Sequence, residues 1–302
     1  MASYIDRQDL GSGSDEIPLT EASFVRVKDM DILHVVDGRY DVTDIIKLSN
    51  STFLIAVSDG TVTNVSGQGK KKRQWSFSNA SFTSVAEMSE GKYLGVDGVC
   101  GLVFSFTDDT TTATQMSSRK TEQCYKLRVL DGYQVFSYRY GTIRIKIQKG
   151  DCRGRKPSIL EENESKDYQF DRDISVVKEN DTHVVYVSGI RGDTTNQITK
   201  MSMSGEILKV YNDWNFSDAG SIAATGDGHL FVCFPEENCI HLLTPEMDRG
   251  ITVLDSTDGI CKPTAISFCS EQRKLYVANS KHVAVPGFYG GSGKEVIAFD
   301  IQ

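Results

Sequence analysis

Four aspartates, Asp44, Asp173, Asp218 and Asp258, stand close to the starts of apolar segments in this chain. Oxygen donors gathered at such strand mouths are what a bound calcium ion needs, and a calcium-polarised carbonyl is one route to hydrolysis. Aspartate is also the ordinary turn-former where a strand begins, and no set of Asp, Asn and Glu recurs with these four. Histidine offers less. His183 and His229 precede equivalent apolar runs, which points to packing, while His34, His241 and His282 are scattered. Seven cysteines (100, 124, 152, 233, 239, 261 and 269) include no C-x-x-C pair, so zinc and dithiol redox chemistry are not expected. Ser/His/Asp triads cannot be read from spacing, because their members need not be neighbours in the chain. The residues therefore favour a protein without catalysis, cofactor or metal, with a calcium-dependent hydrolase as the alternative.

Recognition chemistry is better represented. Segments rich in Arg, Lys and aromatic residues recur at YRYG (138–141), SSRK (117–120), GIRGD (189–193), NDWNF (212–216) and SKHVAVPGFYGGSGK (280–294). Tyr138, Arg139, Tyr140, Arg191, Trp214, Phe216, Lys281, Phe288 and Tyr289 are the expected partner-binding residues, since such mixtures anchor peptides or stack bases. GGSGK does not complete a phosphate loop, because Glu295 follows Lys294. TIRIKIQK (142–149) alternates isoleucine with Arg144 and Lys146, which puts those charges on one side of a strand. GKKKRQW (69–75) is the densest basic run; its lysines are expected to form a solvated turn between the third and fourth strands of the first unit, with Trp75 packing in the outer strand.

The net charge is −8 and the pI near 5.2, so the whole-molecule field repels phosphate backbones. A protein partner is therefore favoured over RNA. No apolar run approaches membrane-spanning length, and the isolated chain is expected to be monomeric. The N-terminus, MASYIDRQDLGSGSDEIP, is polar and acidic and reads as a flexible segment over residues 1–20, ahead of one domain over 21–302. Reduced thiols and this N-terminus favour a cytoplasmic protein. Six of the ten asparagines (50, 64, 79, 163, 180 and 215) begin N-x-S/T sequons, which keeps an extracellular location as the alternative.

What must position these groups is a set of strands. FLIAVSDG (53–60), YLGVDG (93–98), YQVFSYRYG (133–141), HVVYVSG (183–189), HLFVCF (229–234) and KLYVANS (274–280) repeat at separations of 40, 41, 50, 45 and 45 residues. Each follows one apolar run and precedes one or two more. Four strands per unit of this length is a propeller blade, so the spacing predicts an all-β, six-bladed β-propeller with four-stranded blades. The last unit ends after three strands. An N-terminal strand is expected to close the ring, and DILHVV (31–36) aligns with the outer strand of the preceding unit.

The units GSIAATGDGHLFVCFPEENCIHLLTPE (220–246) and KPTAISFCSEQRKLYVANS (262–280) share an Ile-containing inner strand and an L-[FY]-V second strand. They resemble the NHL-type repeat, above all the C-terminal propeller of invertebrate tripartite-motif proteins. That resemblance implies a non-catalytic domain that binds a macromolecule through one loop face. RING, B-box and coiled-coil patterns are absent from this sequence, so ligase activity is not implied. KLYVANS and VIAFDI also resemble lactonase-like propellers, the source of the calcium alternative.

Overall fold

Val, Ile, Phe and Tyr come in short solid runs that end at Gly, Asp or Asn, a pattern that folds as buried strands joined by tight turns. A computed structural model describes residues 19, 23–26, 40–77, 80–109, 114–115, 123–140, 142–149, 158–163, 168–191, 194–213, 216, 219–280 and 295–302. Their first strand is β1 (Phe24–Arg26). The next four, β2 (Val42–Lys47), β3 (Phe53–Val57), β4 (Thr61–Val65) and β5 (Lys71–Ser76), form the first sheet. The second holds β6 (Phe82–Ser89), β7 (Lys92–Asp97), β8 (Leu102–Thr107) and β9 (Thr114–Gln115). The third holds β10 (Gln123–Leu130), β11 (Tyr133–Tyr140), β12 (Thr142–Lys149) and β13 (Ser158–Asn163). In the fourth are β14 (Tyr168–Glu179), β15 (Thr182–Arg191), β16 (Thr194–Ser202) and β17 (Ile207–Asn212). The fifth contains β18 (Ile222–Ala224), β19 (Leu230–Phe234), β20 (Cys239–Leu243) and β21 (Gly250–Leu254). The sixth contains β22 (Pro263–Cys269), β23 (Lys274–Asn279) and β24 (Val296–Ile301), with β1 added at its edge. All pairings are antiparallel, and two first-to-second-strand turns use paired left-handed residues, Asp131 (φ 49) with Gly132 (φ 78) and Asn180 (φ 44) with Asp181 (φ 65).

The second strands are the most deeply buried, because both of their faces meet a neighbouring sheet. Every residue of β3 and β19 is buried. Among the described residues, apolar side chains collect in six clusters, each at the junction of two successive sheets. Trp75, Phe82, Tyr93 and Phe106 fill the first-to-second junction, and Phe231, Leu275 and Phe299 the fifth-to-sixth. Val42, Ile55, Tyr276 and Ala298 join the sixth sheet to the first. Full burial of each large apolar side chain contributes about 1.5–3 kcal/mol, so the junctions dominate stability. Gly95 marks how tightly they fit, since a Cβ there would lie 2.5 Å from Phe82 Cε1. Gly95→Ala should lower stability by about 1–3 kcal/mol in urea unfolding; an unchanged midpoint would show that Phe82 can step aside.

Two local expectations are corrected. The strand that pairs with β24 is Phe24–Arg26, in register Phe24–Ile301 and Arg26–Phe299, and residues 31–36 lie outside the described residues. Phe24 packs edge-on against Phe231, Leu19 is buried in the same cluster, and Ser23 and Gln302 exchange backbone hydrogen bonds. Those contacts give a three-residue strand an anchor that its own sequence does not advertise. The basic run is not a turn. The turn is Ser66–Lys70, and Lys71, Lys72 and Arg73 lie in β5, with Lys70, Lys71 and Lys72 exposed.

Candidate functional site

The inner strands β2, β6, β10, β14, β18 and β22 pack side by side, and β22 also packs against β2. In five of them the pairing slips by one residue, immediately before Asp44, Ser84, Lys126, Asp173 and Ala265. Such a bulge bends the strand and turns the next residue out of the regular alternation. Three of the bulged residues are threonines whose hydroxyls bond to the next sheet. Thr43 donates to Phe82 O (2.6 Å), Thr83 to Tyr125 O (2.6 Å) and Thr264 to Val42 O (2.7 Å).

The residues after the bulges make one buried polar network. Arg128 on β10 donates through both terminal nitrogens to Asp44 on β2, at 2.8 and 2.9 Å, and to Asp173 Oδ1 on β14 at 3.0 Å. Asp44 Oδ2 also accepts from Ser84 Oγ and Val85 N, both at 2.9 Å. Asp173 accepts from Ile174 N at Oδ1, and from Ser221 Oγ (2.6 Å) and Ile222 N at Oδ2. Ser221 Oγ accepts in turn from Ile266 N. Lys126 Nζ lies 3.7 Å from Asp173 and donates to Thr43 O. One network thus reaches all six inner strands.

Its charges balance, two carboxylates against a guanidinium and an ammonium. Burial alone would raise the Asp44 carboxyl, but Arg128, Lys126 and the hydrogen bonds hold it below its ordinary value of 3.8. Burial would lower Arg128, and the two carboxylates hold it well above its ordinary value. Two of the aspartates singled out from sequence therefore do converge, but around a cation. Asp258 sits elsewhere, capping the turn Ser256–Asp258 by accepting from Asp255 N, and Asp218 lies outside the described residues. Among the described residues no group of three His, Cys, Asp or Glu is placed to hold a metal ion. Sequence reading missed Arg128; the recurring Thr-x pair at Thr43-Asp44, Thr83-Ser84 and Thr264-Ala265 marks the level of the network in three strands but does not reach β10.

Histidines serve packing and turns. His183 and His229 each lie beside a turn aspartate, Asp131 at 3.0 Å and Asp227 at 3.1 Å. His241 is buried against Phe216 and Phe234 and shares a 2.9 Å hydrogen bond with Thr252. Burial pushes its imidazole below the ordinary 6.5. The unfolded chain then binds the proton more readily, so this site's stability is intact above 6.5 and declines as pH falls below it. His241→Phe should flatten that decline between pH 7 and 5 in thermal unfolding; an unchanged slope would mean that His241 is not its source.

Strand 2–3 turns and the connections between sheets share one face, and of the nine expected binding residues five can be placed relative to it. Tyr138, Arg139 and Tyr140 end β11 at that face, and Arg191 ends β15 there. Phe216 belongs to a connection on the same face, but its ring packs on Phe234 at 4.9 Å, a core contact. Trp214, Lys281, Phe288 and Tyr289 lie outside the described residues. Sequence reading passed over an acid of this face. Glu236 is exposed there and was not singled out, unlike Asp258, and Asn238 and Asn279 latch the β21–β22 connection by accepting from Lys262 N and Cys261 N.

No family model and no curated protein matches the chain. Among solved structures it is similar to the WD40 β-propeller domain of Doa1, with TM-score 0.58 and 14% identity over 92% of this chain and 97% of that one. It is also similar to the β-propeller domain of Myceliophteria thermophila Cps50 (Swd1), with TM-score 0.57 and 10% identity over 86% and 84%. Identities this low carry the architecture and nothing finer. The chain is an all-β propeller with four-stranded blades.

Proposed function

We propose that this propeller is a non-catalytic scaffold that binds a macromolecular partner, protein in preference to RNA, through the face bearing the strand 2–3 turns. The observation that carries this is the state of the inner polar network. Asp44 and Asp173, the carboxylates a channel hydrolase would use, have their oxygens engaged by Arg128, serine hydroxyls and backbone N–H groups. Chemistry is thereby displaced to the loops, where a rigid ring presents variable side chains. We read the six sheets as six blades of one ring, closed by β1. The six junction clusters support this, as does the Lys47–Glu271 ion pair between the first and last sheets. The second strands Leu230–Phe234 and Lys274–Asn279 keep an NHL-type propeller as our preferred subclass, with residues 21–302 as the domain. We place the protein in the cytoplasm. Asn64, the acceptor of one sequon, is buried at 5% exposure, which removes part of the case for glycans.

The test is affinity capture with the full chain, with and without RNase. The proposal expects the same proteins to be retained under both conditions. Loss of all retained material on RNase treatment would move the partner to RNA, and calcium-dependent turnover of lactone or ester substrates would overturn the scaffold reading.

A further inference from the structure

The outer strand β1 lacks the connection that holds its counterparts in place. β5, β17 and β21 each follow their partner strand through a tight turn, closed by bonds from Ser66 N to Lys70 O, Ser202 N to Glu206 O and Thr244 N to Arg249 O. β1 pairs with β24, at the other end of the chain, with Phe24 opposite Ile301 and Val25 opposite Asp300. A hairpin returns its strand to the sheet at once, whereas β1 must close a loop of almost the whole chain. Its grip is local. Leu19 is 7% exposed among the apolar residues of the fifth-to-sixth junction. Phe24 meets Phe231 edge-on at 6.0 Å, and Phe231 leans on Phe268 at 5.5 Å. Ser23 and Gln302 exchange backbone hydrogen bonds at 2.8 and 2.9 Å. Val25, on the other side of the strand, is 45% exposed.

We propose that the outer edge of β24, with the apolar seat formed by Phe231, Phe268 and Ile301, is a docking slot for an extended peptide. β1 fills it in cis, and a partner polypeptide with an aliphatic and an aromatic residue five positions apart takes it in trans. The chemistry of that partner is read from the occupant already seated there, Leu19 and Phe24. A sheet edge offers main-chain hydrogen bonds to any extended chain, and side-chain seats supply the selection. An uncovered edge beside an apolar seat would invite indiscriminate pairing, so the cis strand also guards the slot. The guard sets a threshold, because a partner's apparent affinity is reduced in proportion to the fraction of slots that β1 leaves open. The slot lies on the outer edge of the sixth sheet and is distinct from the face proposed above, so failure of either leaves the other standing.

The test titrates a fluorescein-labelled peptide of residues 17–27, IPLTEASFVRV, onto the full chain and follows fluorescence anisotropy. Binding should saturate and should tighten at least about tenfold on full-chain Phe24→Ala, whose cis strand is weakened. It should weaken at least about tenfold when the peptide itself carries Phe24→Ala. A second variant keeps the test decisive if the first misfolds. Val25→Cys with Asp300→Cys joins an opposed pair, so the oxidised protein should refuse the peptide and reduction should restore binding. A display library of random peptides, selected on the full chain and eluted with the same probe, should enrich an aliphatic residue followed five positions on by an aromatic one. No binding, equal affinity for the parent and Phe24→Ala, binding to the oxidised protein, or a library without that pattern would overturn the inference. A parent dimer that grows with concentration and dissociates on adding the peptide would give the slot to a second copy, and would overturn the assignment to a partner.

Discussion

Arg128→Met should destabilise the protein by about 3–5 kcal/mol at neutral pH, one of the two largest single-residue effects expected. The guanidinium is the shared partner of two buried carboxylates, and its removal leaves Asp44 and Asp173 with the lone ammonium of Lys126, 3.7 Å from Asp173. The methionine fills comparable volume, so the loss reports charge and not a cavity. The pH dependence should separate the two. In the parent protein Asp44 is held below 3.8, so its contribution is present above that pH and lost as pH falls beneath it. In Arg128→Met the Asp44 carboxyl gains no such support and takes up a proton more readily when folded, so the deficit should shrink between pH 7 and pH 5. The double change Asp44→Asn, Arg128→Met should recover much of the loss, because it leaves Asp173 and Lys126 as one matched buried pair. A deficit that is small, or equal at both pH values, would show that water reaches the network and screens it.

Trp75→Ala should cost about 3–5 kcal/mol, while replacing Lys70, Lys71 and Lys72 together by glutamine should change stability by no more than about 0.5 kcal/mol. These four residues lie within one stretch of six, so the contrast is between burial and charge. Trp75 is 2% exposed, contacts Tyr93 edge-on and Phe106 at a tilt, and donates from Nε1 to Thr107 O of the second sheet at 3.2 Å. It is the outer-strand bolt between two sheets, and the lysines are its solvated neighbours. Chemical denaturation of both variants decides the matter. A large loss in the lysine variant would assign the basic run a structural role that its exposure does not suggest.

The repeating apolar strands were legible in the sequence because a second strand buried on both faces is mostly apolar, as FLIAV and LFVCF make plain. Turns were legible for the complementary reason, since Asp131-Gly132 needs left-handed backbone. The edge strands were not. Phe24–Arg26 is three residues held by contacts with Phe231 and Gln302, which lie at the far end of the chain. Lys71–Arg73 read as a turn because an outer strand with one solvated edge tolerates a run of charge. The polar network was invisible for a different reason. Arg128 lies 84 residues from Asp44 and 45 from Asp173, so no local spacing relates them, and only superposition of the repeats brings them to one level. Of the expected binding residues, the four on β11 and β15 were placed by their position at strand ends, where topology alone sets the face. Phe216 was misread because an aromatic beside a turn looks the same whether it faces solvent or a buried histidine.

Binding through one face of the propeller is tested most directly by site-specific photocrosslinking. A photoreactive phenylalanine analogue placed at Tyr140, on the strand 2–3 face, is compared with one at Glu90, an exposed turn residue on the opposite face. Adducts with a protein partner should form from position 140 and be missing from position 90. Adducts from position 90 alone, or equally from both, would contradict the account.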